Sequence, residues 1–142
     1  MINNEDPIPQ GRYIPANRYG SLVYTAGMTP REKGTLILVG KVTASKPLDY
    51  YRDAVRKAAE NALTAAKKAV SEGETLTKII TMTVFINAEE KYTAHSKLAD
   101  FASEYLCEEL GKDGVVSRVA VGVASLPGNA PVEIQLVAAL SC

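Results

Sequence analysis

Apolar positions follow two different periods along the chain, and each change of period predicts a new element. Residues 21–26 and 36–39 are short β-prone runs, and the polar residues 31–34 between them are typical of a turn. Together these runs predict an antiparallel meander at the start of the chain. Pro7 and Pro9 exclude a regular helix from residues 1–12, which we expect to form an extended arm.

The period becomes helical after residue 47. Pro47 and Asp49 suit the start of a helix, and Gly73 suits its end. The apolar stripe of this helix comprises Val55, Ala58, Ala59, Ala62, Leu63, Ala66, Ala69 and Val70. A second helix is predicted from about residue 89 to Leu110, because Gly111 is a natural stop. Its inward positions are Leu98, Phe101, Ala102, Tyr105 and Leu106.

Three more strands complete the predicted order ββ-α-β-α-ββ. The longest runs over residues 78–87, with Ile80, Met82, Val84 and Ile86 on one face. Residues 117–139 form a hairpin-like pair of strands around the turn-rich segment 126–131. The order indicates an α+β fold, a two-layer domain with two helices on one face of one mixed sheet. Because strand 78–87 is apolar on both faces, we expect another subunit to cover the face without helices.

Two opposite charges, Arg118 and Glu133, occupy otherwise apolar strands of the segment 117–139. An isolated charge is costly to bury, so the pair requires a reason to be there. One interpretation is a cross-strand ion pair that only stabilises the fold. The other is a pair of functional residues in a pocket.

Composition describes a globular domain of 142 residues, 46% hydrophobic and 23% charged, which we interpret as one domain over residues 1–142. Sixteen basic and sixteen acidic residues balance, so there is no basic field for a nucleic acid. No apolar run approaches the roughly 20 residues that span a bilayer. The first residues lack the pattern of a secretory signal, so we expect a cytoplasmic protein without a membrane partner.

Cysteine and histidine are scarce. Cys107 lies in the second predicted helix and Cys142 is the last residue, so no disulfide framework is predicted. With His95 as the only histidine, no spacing predicts a metal site. We expect Cys107 to be a thiol packed in the core and His95 to be exposed, and a nucleophilic Cys107–His95 pair is the alternative.

Several motifs, in this order and at these spacings, resemble those of the Rid family of reactive-intermediate deaminases, also called YjgF-like or endoribonuclease L-PSP proteins. The resemblance covers about residues 11–140. Its most specific part is Arg118, with Leu126-Pro127 eight and nine residues later and Glu133 after them. The other motifs are Gly11-Arg12-Tyr13, Thr25-Ala26-Gly27 and Thr83-Val84-Phe85.

The resemblance implies a chorismate-mutase-like fold, a homotrimer with pockets between subunits, and hydrolysis of enamines and imines to 2-oxo acids and ammonia without a cofactor. Arg118 matches the arginine that binds the substrate carboxylate, and Glu133 matches the acid that positions water. Tyr13 and Gly27 match pocket residues. Ala120 stands where well-studied members have a cysteine, whose backbone N–H could bind the carboxylate equally well.

Three positions depart from the family's common pattern. Ala26 and Met28 replace a serine and a glutamine, and Ala120 replaces the cysteine, so the pocket is less polar. Two further functions therefore stand beside the deaminase. One is a protein that binds small carboxylates in the same pocket without turnover. The other is a ribonuclease, which the balanced charge argues against.

Overall fold

A computed structural model describes residues 6–142 of the protein. Seven strands occur in it: β1 (Ala16–Tyr19), β2 (Leu22–Thr25), β3 (Arg31–Glu32), β4 (Thr35–Leu36), β5 (Thr75–Asn87), β6 (Ser117–Val123) and β7 (Val132–Ser141). Two helices, α1 (Arg52–Lys68) and α2 (His95–Leu110), pack on one face of a five-stranded mixed sheet. The predicted α+β architecture is confirmed.

Both helices begin later than the sequence predicts. A 3-10 turn (Leu48–Tyr51) precedes α1, and Gly73 lies beyond its end with a φ of 83°. Lys91 has a φ of 71°, a left-handed conformation that an α-helix cannot contain, so α2 begins only at His95. Gly111 ends α2 with a φ of 60°, as predicted.

The sheet order is β1-β2-β7-β5-β6, with β5 and β6 parallel and the other neighbours antiparallel. The prediction that β6 and β7 form a hairpin-like pair is wrong, because β5 lies between them. Helix α2 carries the chain across the sheet, so β6 joins one edge of β5 in parallel. The other edge of β5 is then free to pair with β7.

One apolar residue of β5 lies on the opposite face from the one predicted. Met82, Val84 and Ile86 are buried against the helices, but the fourth buried position is Ile79, and Ile80 is 39% exposed. The pairing of β5 with β7 shifts register between Ile79 and Thr81. A bulge of this kind inserts a residue and reverses the alternation of faces beyond it.

The early meander is also wrong. Strand β1 pairs with β2, whereas β3 and β4 form a separate two-stranded hairpin whose turn, Lys33–Gly34, has positive φ at both residues. Residues 37–39 continue as irregular chain instead of the predicted strand.

The helices cover only one face of the sheet. Alternation places Val119 and Val121 of β6 and Tyr24 of β2 on the opposite face, where they are 52%, 38% and 44% exposed. This uncovered apolar face is the one that the sequence predicts to be covered by another subunit.

Candidate functional site

Glu133 lies at the start of β7, on the face of the sheet that the helices do not cover. Its neighbours in the strand, Val132 and Ile134, are fully buried on the helix side, and its partner across β5 is Phe85. The side chain enters a cavity of about 140 Å³. The cavity is lined by Gln10, Tyr13, Gly27, Thr29, Arg31, Pro127 and Glu133.

Gly27 and Glu133 are in contact inside this cavity. A Cβ atom on residue 27 would lie 2.5 Å from Oε2, 2.8 Å from Cδ and 3.0 Å from Cγ of Glu133. The backbone bonds between Met28 and Ile134, 2.7 and 2.8 Å long, hold the segment after β2 against β7. Only glycine leaves room for the carboxyl group in this position.

Burial raises the pKa of Glu133 above the ordinary value for a glutamate. Desolvation is the only cause, and no cation of residues 6–142 forms an ion pair with this carboxyl group. A carboxyl group with a raised pKa can give and take protons closer to neutral pH than a solvated one. It is therefore suited to general acid–base chemistry.

Tyr13 reaches the same cavity from the N-terminal segment. Its hydroxyl accepts a 3.0 Å hydrogen bond from the backbone N–H of Gln10, and the side chain is 46% exposed. The structure thus brings together three of the five site residues expected from the sequence: Tyr13, Gly27 and Glu133.

Arg31 lines the cavity too, although the sequence pattern predicts only a polar turn at this position. Its Nη1 donates a 2.8 Å hydrogen bond to the carbonyl of Gly34, and its buried Nε has no hydrogen-bond partner. The buried amide of Asn61 donates to the carbonyls of Thr29 and Arg31, at 3.0 and 2.9 Å, and fixes this segment on α1. The sequence offers no signal for this placement, since it depends on contacts between residues about 30 apart.

The small cavity adjoins a larger one of about 460 Å³, and the two share Gln10, Tyr13, Gly27, Thr29 and Arg31. The larger cavity lies between the N-terminal segment, the β3–β4 hairpin and α1. Tyr105 of α2 closes one side, and burial raises its pKa to about 12, so its hydroxyl remains protonated. Arg31 stands in the wall of both cavities.

Arg118 lies elsewhere in the chain. It pairs with Met82 in the sheet, three residues from the Phe85 partner of Glu133, so the two charges occupy opposite faces. Strand spacing puts their Cα atoms roughly 14 Å apart. The interpretation of Arg118 and Glu133 as a cross-strand ion pair is therefore wrong.

The guanidinium of Arg118 is bound to α2. Nη1 donates to Asp100 (2.9 Å) and Ser103 (2.8 Å), and Nη2 donates to the hydroxyl (2.8 Å) and the carbonyl (3.1 Å) of Ser96. Ala120, two residues along β6, also packs on the helix side. Neither residue lines the Glu133 cavity of its own chain.

The cysteines and the histidine do not form a nucleophilic pair. Cys107 is exposed, so the prediction of a core-packed thiol is wrong. His95 is half-buried beside Tyr92, with ring centroids 5.5 Å apart, instead of exposed. His95 and Cys107 are twelve residues apart on α2, which corresponds to about 18 Å.

Residues 6–142 contain no group of three or more histidine, cysteine, aspartate or glutamate side chains placed to hold a metal ion. None of the helices there is long and apolar enough to cross a membrane.

Known proteins share both the sequence pattern and the fold. The family model "Endoribonuclease L-PSP" matches residues 3–140. A curated relative, Protein TCP17 of Trypanosoma cruzi, is 25% identical over 134 residues, 94% of this chain and 84% of its own.

Two solved structures are each 28% identical to this chain and cover 95% of it. One is a Shewanella oneidensis protein proposed to be an endoribonuclease, with a TM-score of 0.86 over 89% of its chain. The other is Atu1372 of Agrobacterium tumefaciens, a protein of unknown function, with a TM-score of 0.84 over 87% of its chain. Since the family model covers nearly the whole sequence, the chain belongs to the endoribonuclease L-PSP family of YjgF-like proteins.

Proposed function

We propose that the protein hydrolyses imines and enamines of 2-amino acids to 2-oxo acids and ammonia, with Glu133 as the catalytic acid–base group. One observation carries the proposal. A half-buried carboxyl group, with its pKa raised by burial, lies in a cavity beside Tyr13 and Gly27. Carboxyl groups tuned in this way are typical of general acid–base sites.

The reaction requires one oriented water, whose two protons are passed to the nitrogen in turn. The Glu133 carboxylate removes a proton from water while the water oxygen bonds to the imine carbon and the C=N electron pair moves to nitrogen. The protonated carboxyl group then delivers its proton to the nitrogen, which gives a carbinolamine. The carboxylate next removes the proton of the new hydroxyl group and delivers it to the amine nitrogen, so the C–N bond breaks as the C=O bond forms, and ammonia and the 2-oxo acid leave. General acid–base catalysis by one group typically contributes ~10²–10⁴-fold.

An enamine enters the same route after protonation at its β-carbon and loss of one proton from its nitrogen, which together convert it to the imine. No step transfers electrons to or from an external acceptor, and the chemistry proposed here uses no cofactor. Tyr13 lies where its hydroxyl can contact the ligand, and Gly27 gives the carboxyl group its place.

The family resemblance assigns the substrate carboxylate to Arg118. Because Arg118 lies on the opposite face of the sheet from Glu133, this role requires a neighbouring subunit that supplies its own Arg118 to the cavity. The uncovered apolar sheet face supports self-association, and a homotrimer is the assembly we propose.

Ammonia release from imines generated in situ by an amino-acid oxidase tests the function. We expect the wild type to exceed the uncatalysed rate and Glu133→Gln to lose ~10²-fold or more of the enhancement, since the amide cannot take a proton. Arg118→Ala should raise KM, and its melting temperature must be measured beside it because Arg118 also anchors α2. Equal rates for wild type and Glu133→Gln would refute the role of Glu133.

A second candidate is a carboxylate-binding protein without turnover. Met28, in the wall of the larger cavity, favours it, since many family members have a hydrogen-bonding glutamine at this position. Saturable binding of a 2-oxo acid by calorimetry, with no ammonia release above background, would support this function and exclude the first.

A further inference from the structure

We propose that Arg31 binds a second anionic group of the ligand, so that the substrate class is the imine of a dicarboxylic 2-amino acid. The inference rests on the proposed function for the first carboxylate and for Glu133. It adds the group that recognises the far end of the substrate.

The Arg31 guanidinium has few hydrogen-bond partners of its own. Among residues 6–142 its one hydrogen-bond acceptor is the carbonyl of Gly34, and no carboxylate there forms an ion pair with it. Its Nε is buried without a partner. A guanidinium offers five N–H donors in a planar fork, and a carboxylate is the group that matches this fork. Arg31 therefore has donors in excess of the acceptors around it.

Arg31 is held in place by its neighbours on two sides. Asn61, only 5% exposed, holds the carbonyls of Thr29 and Arg31, and on the other side a Cβ on Gly128 would lie 3.0 Å from Nη2 of Arg31. The arginine is thus confined between α1 and the loop after β6. A cation held in place before the ligand arrives binds it with little further loss of freedom.

The wall of the larger cavity contains charges of both signs. Three of its four carboxylates have a cationic partner: Asp6 with Lys68 (3.5 Å), Asp53 with Arg52 (3.7 Å) and Glu60 with Lys57 (3.5 Å).

Among the cations of this wall, Lys57 is paired in this way and Arg56 pairs with Glu108. Arg31 and Lys33 form no ion pair within residues 6–142. Glu32 is the one carboxylate of this wall that also forms no ion pair within these residues. Among the charged groups of this wall that form no ion pair there, two are cations and one is a carboxylate.

The two adjoining cavities leave space for an extended ligand. The small cavity of about 140 Å³ beside Glu133 suits the reacting end of a ligand, and the 460 Å³ cavity continues from it past Arg31. A ligand that reacts beside Glu133 and extends its side chain would place the end of that side chain near Arg31. A compact monocarboxylate would leave both the space and the guanidinium unused.

Isothermal titration calorimetry of the full chain tests this with two stable probes of equal carbon number. The probes are 2-oxoglutarate, which has a distal carboxylate, and 2-oxopentanoate, which lacks it. We expect the wild type to prefer 2-oxoglutarate by ~10-fold or more, the value of one charge-assisted contact. Arg31→Gln should abolish the preference and change the affinity for 2-oxopentanoate less than ~3-fold, while Arg31→Lys should keep part of it.

Arg12→Gln is the matched control, because it removes one positive charge beside Tyr13 without lining either cavity. It should retain the wild-type preference. The proposal is overturned if the wild type shows no preference, if Arg31→Gln keeps it, or if Arg31→Gln weakens both probes equally. Absence of ammonia release would instead refute the proposed reaction and leave the binding preference in force, so the two failures can be told apart.

Discussion

Gly27 and Glu133 fit together so closely that residue 27 sets the position of the carboxyl group. A single added methyl at position 27 would meet Oε2, Cδ and Cγ of Glu133 within 3.0 Å. We expect Gly27→Ala to rotate the carboxyl group away and to lower kcat/KM by ~10²-fold, the typical cost of misplacing a catalytic group by about 1 Å.

The fold should survive this change, because the carboxyl group is the movable end of a side chain. A double variant provides the control for Gly27→Ala. If residue 27 acts through Glu133, adding Gly27→Ala to Glu133→Gln costs little more activity than Glu133→Gln alone. Additive losses would mean that Gly27 acts independently of the carboxyl group.

The stability of the protein should depend on Glu133 and Glu74 with opposite pH trends. Burial raises the folded-state pKa of Glu133, so its ionisation destabilises the fold as pH rises through that pKa. Glu133→Gln should therefore melt above the wild type at about pH 8, and the difference should shrink toward about pH 4.

Glu74 is a matched carboxylate whose pKa is shifted in the opposite direction. Its hydrogen bonds to Arg18, 2.6 and 2.7 Å long, lower its pKa, so its contribution is present above the unfolded pKa and is lost as pH falls. Glu74→Gln should melt below the wild type at about pH 8 and match it in acid. Parallel pH curves for the two variants would contradict both assignments.

Asn61 should be one of the positions most sensitive to substitution. Its buried amide donates to the carbonyls of Thr29 and Arg31. Asn61→Ala leaves both carbonyls without this donor, and we expect a loss of ~1–3 kcal/mol in the free energy of unfolding. Asn61→Asp should cost more at neutral pH, ~3–5 kcal/mol, because a buried carboxylate would face two acceptors.

Urea unfolding at two pH values separates these effects. The additional cost of Asn61→Asp should diminish in acid, where the protonated side chain regains one donor. A cost that is independent of pH would show that packing, and not hydrogen bonding, determines the importance of residue 61.

The uncovered sheet face should mediate self-association. We expect light scattering after size-exclusion chromatography to report three copies of the 15.2 kDa chain for the wild type. Val119→Asp should dissociate them, since it would bury a charge at the interface. Val115→Asp is the control, an exposed valine that precedes β6. A monomeric wild type, or equal behaviour of the two variants, would exclude this face as the interface.

Sequence periodicity predicted the helices and strands better than it predicted which strands pair with each other. The alanine stripe of α1 and the long strand β5 were predictable, because their spacing alone specifies a buried face. Strand β1, with the sequence ANRY, has no such alternation, and it is held by its pairing with β2. The bulge at Ile80 leaves no trace in the apolar pattern.

The candidate site was predictable only where its residues belong to motifs with a recognisable order and spacing. Glu133, Gly27 and Tyr13 were found through motif spacing, and the structure places them in one cavity. Arg31 could not be found in this way, because its role depends on Asn61, 30 residues further along the chain. The faces occupied by Arg118 and Glu133 depend on the position of β5 between their strands, which local sequence does not specify.

The insertion of β7 between β2 and β5 has a kinetic consequence. The hydrogen bond from the backbone N–H of Leu136 to Oγ1 of Thr25 closes a loop of 111 residues, and the contact of Gly27 with Glu133 spans nearly as many. By contrast, α2 brings β5 and β6 together over a much shorter separation. Contacts that close long loops form slowly, because chain entropy must be lost before they can stabilise anything. The cavity beside Glu133 is therefore expected to mature late in folding, after the helices have docked on β5.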